Sequence, residues 1–141
     1  MAWSINYQNS GDFMFNLNAR TVLNMARAVA PLMVERKSGK IINIGARAGL
    51  RGSASMAAYA ASKSVVIRLT ESLADELKAT GINVNCVLPS IIDTERNRAD
   101  MPNANFDQWG APKALAKIIR FLASEAADPI HGAAIPVEGL S

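Results

Sequence analysis

The stretch KIINIGARAGLRGSASMAAYAASK, residues 40–63, combines three local patterns that together indicate the fold. A short β-branched run occupies residues 40–45 between two glycines, as expected of a strand buried on both faces. A connection rich in glycine and serine follows, and a long helical pattern then covers residues 56–79. Gly81 lies just beyond this helix, where a left-handed terminating residue is common. The order strand, loop, helix predicts one unit of a parallel α/β sheet.

The rest of the chain repeats this alternation of helix and strand. A helical pattern runs from Ser10, the expected N-cap, to about Arg36, and Pro31 is expected to kink it or shift its register. The other predicted elements are a strand at 82–89, a helix at 112–124 and a strand at 133–137. Because proline cannot donate to a ladder, Pro136 predicts that the last strand lies at a sheet edge. We therefore expect an α/β fold in a single domain, residues 1–141, with about three parallel strands and helices on both faces.

Composition and charge narrow the class of protein. Half of the residues are hydrophobic and 19% are charged, which is typical of a globular domain. No apolar run approaches the roughly 18 residues of a membrane span, so we expect no membrane association. The net charge of +3 comes from scattered basic residues, which does not favour a nucleic-acid surface, and no spacing of ligand residues suggests a metal. Cys86 lies alone in an apolar run, so a buried thiol and a cytoplasmic location are expected.

Tyr59 and Lys63 lie four residues apart in the long predicted helix, which places both side chains on one face. This part of the helix follows the carboxyl end of the strand at 40–45, the edge at which open parallel sheets bind ligands. A neighbouring ammonium favours the phenolate, so Lys63 is expected to lower the pKa of Tyr59 and make it a general acid or base. The alternative is that Tyr59 only packs, while Lys63 extends its ammonium to solvent.

Residues 43–94 resemble the core of the short-chain dehydrogenase/reductase family. The resemblance is carried by NIG, by the Y-x-x-x-K run, by GINVN after the long helix and by the P-x-x-x-x-T loop. It implies a Rossmann-like, doubly wound fold of which this chain forms the C-terminal half, with NAD or NADP as cofactor. It also implies that Tyr59 is the catalytic acid or base, that Lys63 holds the nicotinamide ribose, and that Asn18 positions a water in the proton relay.

The same resemblance assigns residues to binding. For the cofactor these are Lys63, Pro89, Ile92 and Thr94, and for the substrate they are Ala46, Met101 and Trp109. Residues 45–56 and 93–109 are similar to the dihydropteridine reductase-like branch of the family. That branch also has alanine at the position of Ala46.

Two features depart from the family pattern. Ala46 stands where the family has a serine that donates a hydrogen bond to the substrate carbonyl, and neither Ser53 nor Ser55 has the spacing of a substitute. The glycine-rich turn that receives the cofactor pyrophosphate is also missing, because the glycines of residues 45–52 have the wrong spacing. We therefore expect an N-terminally truncated family member that retains the catalytic motif and is inactive alone.

This expectation has consequences for partners. The strand at 40–45 would lie at a sheet edge, and exposed apolar edges tend to pair. In the family, the helices that correspond to 13–35 and 56–79 pack against a second subunit, so we expect a homo-oligomer through them, with strand pairing at 40–45. The main hypothesis is an NAD(P)-dependent oxidoreductase homologue. The alternative is a non-catalytic, oligomerising or small-ligand-binding remnant, with a pocket around Tyr59, Met101 and Trp109. The substrate and the choice between NAD and NADP stay open.

Overall fold

Within the described residues, the sheet consists of three parallel strands that lie side by side in chain order, which confirms the predicted fold class. The computed structural model describes residues 8–141. In chain order its elements are α1 (Gln8–Phe15), a π-helical segment (Asn16–Arg20), α2 (Thr21–Arg36), β1 (Gly39–Ile44), α3 (Ala57–Leu77), β2 (Ile82–Pro89), α4 (Glu95–Asp100), α5 (Pro112–Leu122) and β3 (Ala134–Val137). In the register, Gly39 lies beside Ile82, and Cys86 lies beside Ala134.

The central strand, β2, is buried along its whole length and packs on both faces. Cys86 and Leu88 contact Ile67 of α3 on one face. On the other face, Val87 packs with Leu122 of α5. Since successive side chains of a strand alternate between faces, β2 forms the core of two helical layers at once.

Two buried asparagines of β2 determine how the chain enters β3. The Asn83 side chain donates to the carbonyls of Asp128 and Ile130 at 2.8 and 2.9 Å. Asn85 donates to the carbonyl of Ile130 at 2.9 Å and accepts from the backbone N–H of Ala133, also at 2.9 Å. These amides satisfy the backbone groups of a turn that lies against the sheet, as buried polar groups require.

Several local predictions are confirmed. Gly81 follows α3 with a φ of 83°, in the left-handed region. Pro112 lies in the first turn of α5, where its missing N–H leaves no hydrogen bond unmade. Pro136 lies in β3, which is an edge strand, and the Cys86 thiol is fully buried.

The first helical region differs from its prediction. Helix α1 already contains Ser10, so the prediction of Ser10 as N-cap is wrong. Helix α2 runs through Pro31 as one element, so a kink there stays a prediction, and a π-helical turn lies earlier in this region, at Asn16–Arg20. Because proline has no N–H, the backbone carbonyl of Arg27 has no donor one turn later in the helix. Arg27 and Pro31 are both exposed, so water can donate to that carbonyl.

Strand β1 has one unpaired edge within the part of the chain that the structure describes. The Gly45 N–H donates to the Val87 carbonyl, so the alternation of the ladder turns the backbone groups of Lys40, Ile42 and Ile44 away from β2. A cavity of about 400 Å³, the α2–β1 groove, runs between α2 and this edge. The large apolar side chains more than half exposed on α1, the π-helical segment and α2 are Phe13, Leu17, Met25 and Leu32. No helix among the described residues is long and apolar enough to cross a membrane.

Candidate active site

Tyr59 lies in the first turn of α3 and lines a cavity of about 690 Å³, here named the Tyr59 pocket. Ala46, which follows β1, and Pro89, which ends β2, line the same pocket. The pocket therefore lies at the carboxyl ends of two neighbouring parallel strands, where the sequence placed it. Three predicted site residues are brought together here.

Lys63 extends in a different direction from Tyr59. Its ammonium donates to the backbone carbonyl of Ile44, on the unpaired edge of β1, at 3.3 Å. Lys63 and Asn18 both line the α2–β1 groove, whereas Tyr59 lines the Tyr59 pocket. The catalytic set predicted from the sequence is thus divided between two cavities on either side of the start of α3.

The electrostatics of the pair differ from the prediction. Burial raises the pKa of the Tyr59 hydroxyl above its ordinary value. Burial also lowers the pKa of the Lys63 ammonium. The predicted lowering of the Tyr59 pKa by Lys63 is therefore wrong for this structure, because desolvation dominates and the ammonium is directed to the Ile44 carbonyl.

Asn18 is connected to α3 through a buried serine. Asn18 lies in the π-helical segment, and its side-chain amide donates to the Ser62 hydroxyl at 3.0 Å. The Ser62 hydroxyl donates in turn to the backbone carbonyl of Tyr59 at 2.8 Å. Ser62 is fully buried, so the hydroxyl is held by these two contacts. Sequence reasoning missed this role of Ser62, although a lone hydroxyl in an alanine-rich turn was a signal for it.

The loop after β2 is fixed by its own side chains. The Ile92 carbonyl accepts from the Asn97 side chain at 2.7 Å, and the Thr94 hydroxyl oxygen caps α4 by accepting from the Asn97 N–H at 3.2 Å. Asp93 receives two hydrogen bonds from Arg98, at 2.5 and 2.8 Å, and this guanidinium lowers the pKa of the Asp93 carboxyl. Ile92 and Thr94 therefore occupy a well-defined turn next to Pro89.

Met101 and Trp109 lie apart from the Tyr59 pocket. Met101 follows α4 and is half-buried, and Trp109 is buried against Phe106 with ring centroids 4.8 Å apart. Neither residue lines the pocket that contains Tyr59. Their part in substrate binding stays a prediction.

Comparison with known proteins identifies the family. The sequence profile described as short chain dehydrogenase matches residues 4–105. This chain belongs to the short-chain dehydrogenase family. Its curated relatives include the 3-oxoacyl-[acyl-carrier-protein] reductases of Chlamydia trachomatis, 34% identical over 89% of this chain and 54% of the relative, and of Synechocystis, 39% identical over 89% and 53%. A cyclohexanol dehydrogenase of Rhodococcus is 34% identical over 91% of this chain and 52% of its own length.

Solved structures of short-chain dehydrogenases share this fold. A gluconate 5-dehydrogenase of Burkholderia cenocepacia in complex with NADP and tartrate has a TM-score of 0.86 at 32% identity, over 94% of this chain and 56% of its own. A mutant 4-hydroxyisoleucine dehydrogenase complexed with NADH and succinate also has a TM-score of 0.86, at 29% identity, over 94% and 59%. The chain spans about half the length of the curated relatives it matches. These relatives do not test the assignment to the dihydropteridine reductase-like branch.

In this short-chain dehydrogenase chain, the Tyr59 pocket also contains polar residues that sequence reasoning did not assign. They are Arg47, Arg51, Ser53 and Ser90. Ser53 lines the pocket although its spacing from Tyr59 gave no reason to expect it there. Among residues 8–141, no group of three or more His, Cys, Asp or Glu side chains could hold a metal ion.

Proposed function

We propose that this chain is the catalytic portion of an NAD(P)-dependent oxidoreductase of the short-chain dehydrogenase type, and that it does not turn over substrate alone. Tyr59, Lys63 and Asn18 are its proposed catalytic residues. The observation that carries the proposal is the position of the Tyr59 side chain in a pocket at the carboxyl ends of two parallel strands, on a helical turn whose backbone carbonyl is tied to Asn18 through Ser62. We place the chain in the cytoplasm, where the buried thiol of Cys86 stays reduced.

Tyr59 is suited to act as a proton donor. Its side chain lines the pocket that would receive a substrate carbonyl, and its hydroxyl is protonated at neutral pH, although the pKa raised by burial makes it a weaker acid than an ordinary tyrosine. In the reducing direction the hydroxyl gives its proton to the carbonyl oxygen as that oxygen gains negative charge. Asn18, held through Ser62, would orient a water that returns a proton towards this site.

The nicotinamide end of NAD(P) fits the residues that surround this site. The Ile92 N–H donates to no acceptor among the described residues, and Thr94 uses its hydroxyl only as an acceptor, so both keep a donor for a carboxamide. The long contact of Lys63 with Ile44 leaves other ammonium protons for ribose hydroxyls. When bound, NAD(P)H would supply the hydride.

The pyrophosphate end of the cofactor has no counterpart in this sequence. None of its glycines has the spacing of the turn that cradles phosphates at a helix N-terminus. Since those backbone contacts supply much of the binding energy for a dinucleotide, we expect NAD(P)H to bind the chain only weakly. We therefore propose that turnover needs such a turn, supplied from outside these 141 residues.

Cofactor binding and reconstitution test the proposal together. NADH and NADPH are titrated against the full chain by fluorescence, alone and after mixing with a polypeptide that carries the glycine-rich turn of a relative. We expect no saturation at millimolar cofactor for the chain alone. The mixture should oxidise NADPH or NADH with a 3-oxoacyl thioester or cyclohexanone, the carbonyl compounds that correspond to the relatives' names.

Two variants show whether turnover depends on the proposed catalytic residue. Tyr59→Phe should lower turnover by about 10² or more, because it removes the proton donor and leaves the ring in place. Phe121→Leu, at an exposed position of α5 outside the Tyr59 pocket, serves as the control for general damage to the fold. Micromolar NADH binding by the chain alone would contradict the need for an added glycine-rich turn. A mixture that binds cofactor and is insensitive to Tyr59→Phe would contradict the catalytic assignment.

The alternative, a non-catalytic oligomerising or ligand-binding remnant, is favoured by one observation. Large apolar side chains are exposed on α1, the π-helical segment and α2, next to the unpaired edge of β1. We propose that a second copy covers this surface through residues 13–35 and 56–79, with strand pairing at 40–45. Sedimentation should show a dimer or larger species, and Met25→Glu should shift it towards monomer while Leu140→Glu, at an exposed site near the carboxyl end, should not. A stable monomer at micromolar concentration contradicts the assembly.

A further inference from the structure

The Tyr59 pocket has an uneven distribution of charge. Two arginines, Arg47 and Arg51, line it, and no aspartate or glutamate among the described residues does. We propose that the pocket binds a carbonyl compound that also carries a carboxylate, and that Arg51 binds that carboxylate. The carbonyl part of this inference rests on the proposed function, whereas the carboxylate part rests on the pocket alone.

The two arginines are not equivalent. Arg47 is already engaged, because its Nε lies 3.3 Å from Glu138 Oε1 and it donates to the backbone carbonyl of Ser141 at 2.9 Å. Arg51 takes part in no ion pair and no side-chain hydrogen bond with any residue from 11 to 141. Arg51 is therefore the guanidinium of this pocket whose charge is not balanced by the protein.

The chemistry of a single guanidinium favours a carboxylate. Its planar fork of N–H donors matches the two oxygens of a carboxylate in a bidentate pair. A phosphate dianion needs more positive charge and more donors than one arginine supplies, and Arg47 is held by Glu138. A carboxylate carries the single negative charge that Arg51 can balance alone.

The other lining residues suggest what lies between the two polar ends of the ligand. Leu50, Met56 and Ile91 are apolar, so a short aliphatic chain fits the space between a carbonyl near Tyr59 and a carboxylate near Arg51. A volume of about 690 Å³ is within the usual range for small-molecule sites. Ser53 adds a hydroxyl to the lining of this pocket, whereas Ala46, at the family's serine position, has no hydroxyl.

Matched pairs of probes test the carboxylate without any cofactor. The binding of 4-oxopentanoate and 6-oxoheptanoate to the full chain is compared with that of their methyl esters, by NMR shifts of the backbone amides of residues 46–59. The acid and its ester have the same carbon chain and carbonyl and differ in charge. We expect at least one acid to bind about ten-fold or more tightly than its ester, as a charge-assisted hydrogen bond implies. The ratio of the affinity of the acid to that of its ester should fall in 0.5 M NaCl, roughly three times the physiological ionic strength. Arg51 is exposed, so salt screens its attraction for the carboxylate.

Three variants locate the effect. Arg51→Met should remove the difference between acid and ester, and Arg51→Lys should retain only part of it because an ammonium cannot form the bidentate pair. Arg120→Met removes an exposed arginine of α5 that does not line the pocket, and it should leave the difference unchanged.

Two results would overturn the inference: equal binding of every acid and its ester, or an acid preference that persists in Arg51→Met. Its failure is distinguishable from failure of the proposed function, because NADH titration is a separate measurement. Acid binding through Arg51 without any cofactor binding or turnover in the reconstituted mixture would leave a carboxylate-binding protein and contradict the oxidoreductase. Turnover in the reconstituted mixture without any preference for the acid over its ester would support the oxidoreductase and contradict the carboxylate site.

Discussion

Replacing Gly49 with alanine tests how closely the loop after β1 approaches α3. Gly49 is buried, and a Cβ built there would lie 2.8 Å from the backbone carbonyl carbon and oxygen of Lys63 and 3.1 Å from Ile67 Cδ1. The Ser64 hydroxyl donates to the Gly49 carbonyl at 2.7 Å across the same approach. The obstacle is helix backbone, so it cannot rotate away as a side chain would.

The geometry gives the size of the effect. To restore an ordinary contact of 3.4 Å, the loop and α3 must separate by about 0.6 Å, which loosens dispersion contacts along their interface. Overpacking of this kind costs about 1–3 kcal/mol in free energy of unfolding. For a chain of 141 residues, a loss of 2 kcal/mol corresponds to a fall in Tm of about 7 °C.

Gly52→Ala is the matched control. A Cβ at Gly52 has no atom within 4 Å, and the φ of Gly52 is outside the left-handed region. Alanine there should be neutral or stabilise by up to about 1 kcal/mol, through the unfolded state. Urea unfolding followed by circular dichroism measures both variants. Equal midpoints for Gly49→Ala and Gly52→Ala would refute the close approach as a constraint on the fold.

Three further predictions concern buried groups. Asn85→Ala should lower the free energy of unfolding by about 1–3 kcal/mol, since it leaves the half-buried Ala133 N–H without its acceptor while Asn83 still donates to the Ile130 carbonyl, whereas the exposed Asn103→Ala should change it by less than about 0.5 kcal/mol. In a Tyr7→Phe background, the phenolate absorbance of Tyr59 should titrate above its ordinary pKa of 10.0. The folded state then holds the proton more tightly than the unfolded state, so the free energy of unfolding should fall as pH rises from about 10 through the folded pKa. A midpoint below 10 in the absorbance titration of Tyr59 would contradict the raised pKa. The Cys86 thiol is buried and burial raises its pKa, so it should react with iodoacetamide at pH 8 only as fast as the chain unfolds. If the native chain is labelled as fast as the chain unfolded in urea, the thiol is not protected by the fold.

Features that depend on local backbone chemistry were predictable from the sequence. A left-handed backbone conformation after a helix favours glycine, which has no Cβ, and Gly81 adopts this conformation after α3. The lack of an N–H explains both the position of Pro112 at a helix start and that of Pro136 in an edge strand. Each of these rules involves a residue and its immediate neighbours, so no knowledge of tertiary packing is needed.

Features that depend on where a long side chain ends were not predictable. Helical spacing puts Tyr59 and Lys63 on one face, but four rotatable bonds let Lys63 reach the Ile44 carbonyl instead of the phenol. Likewise, the position of Arg51 in the pocket depends on how the loop of residues 46–55 folds, which glycine and serine leave open. The π-helical turn at Asn18 has no periodic signature, because it spans a single turn.

The contact between Lys63 and Ile44 links the chemistry of the site to the assembly of the sheet. A strand that pairs with β1 at this end donates an N–H to the same carbonyl that now accepts from the ammonium. The two donors compete for one acceptor, so strand addition favours release of Lys63 towards the groove that it shares with Asn18. By thermodynamic reciprocity, any ligand that draws the ammonium away from Ile44 makes β1 a better template for a new strand.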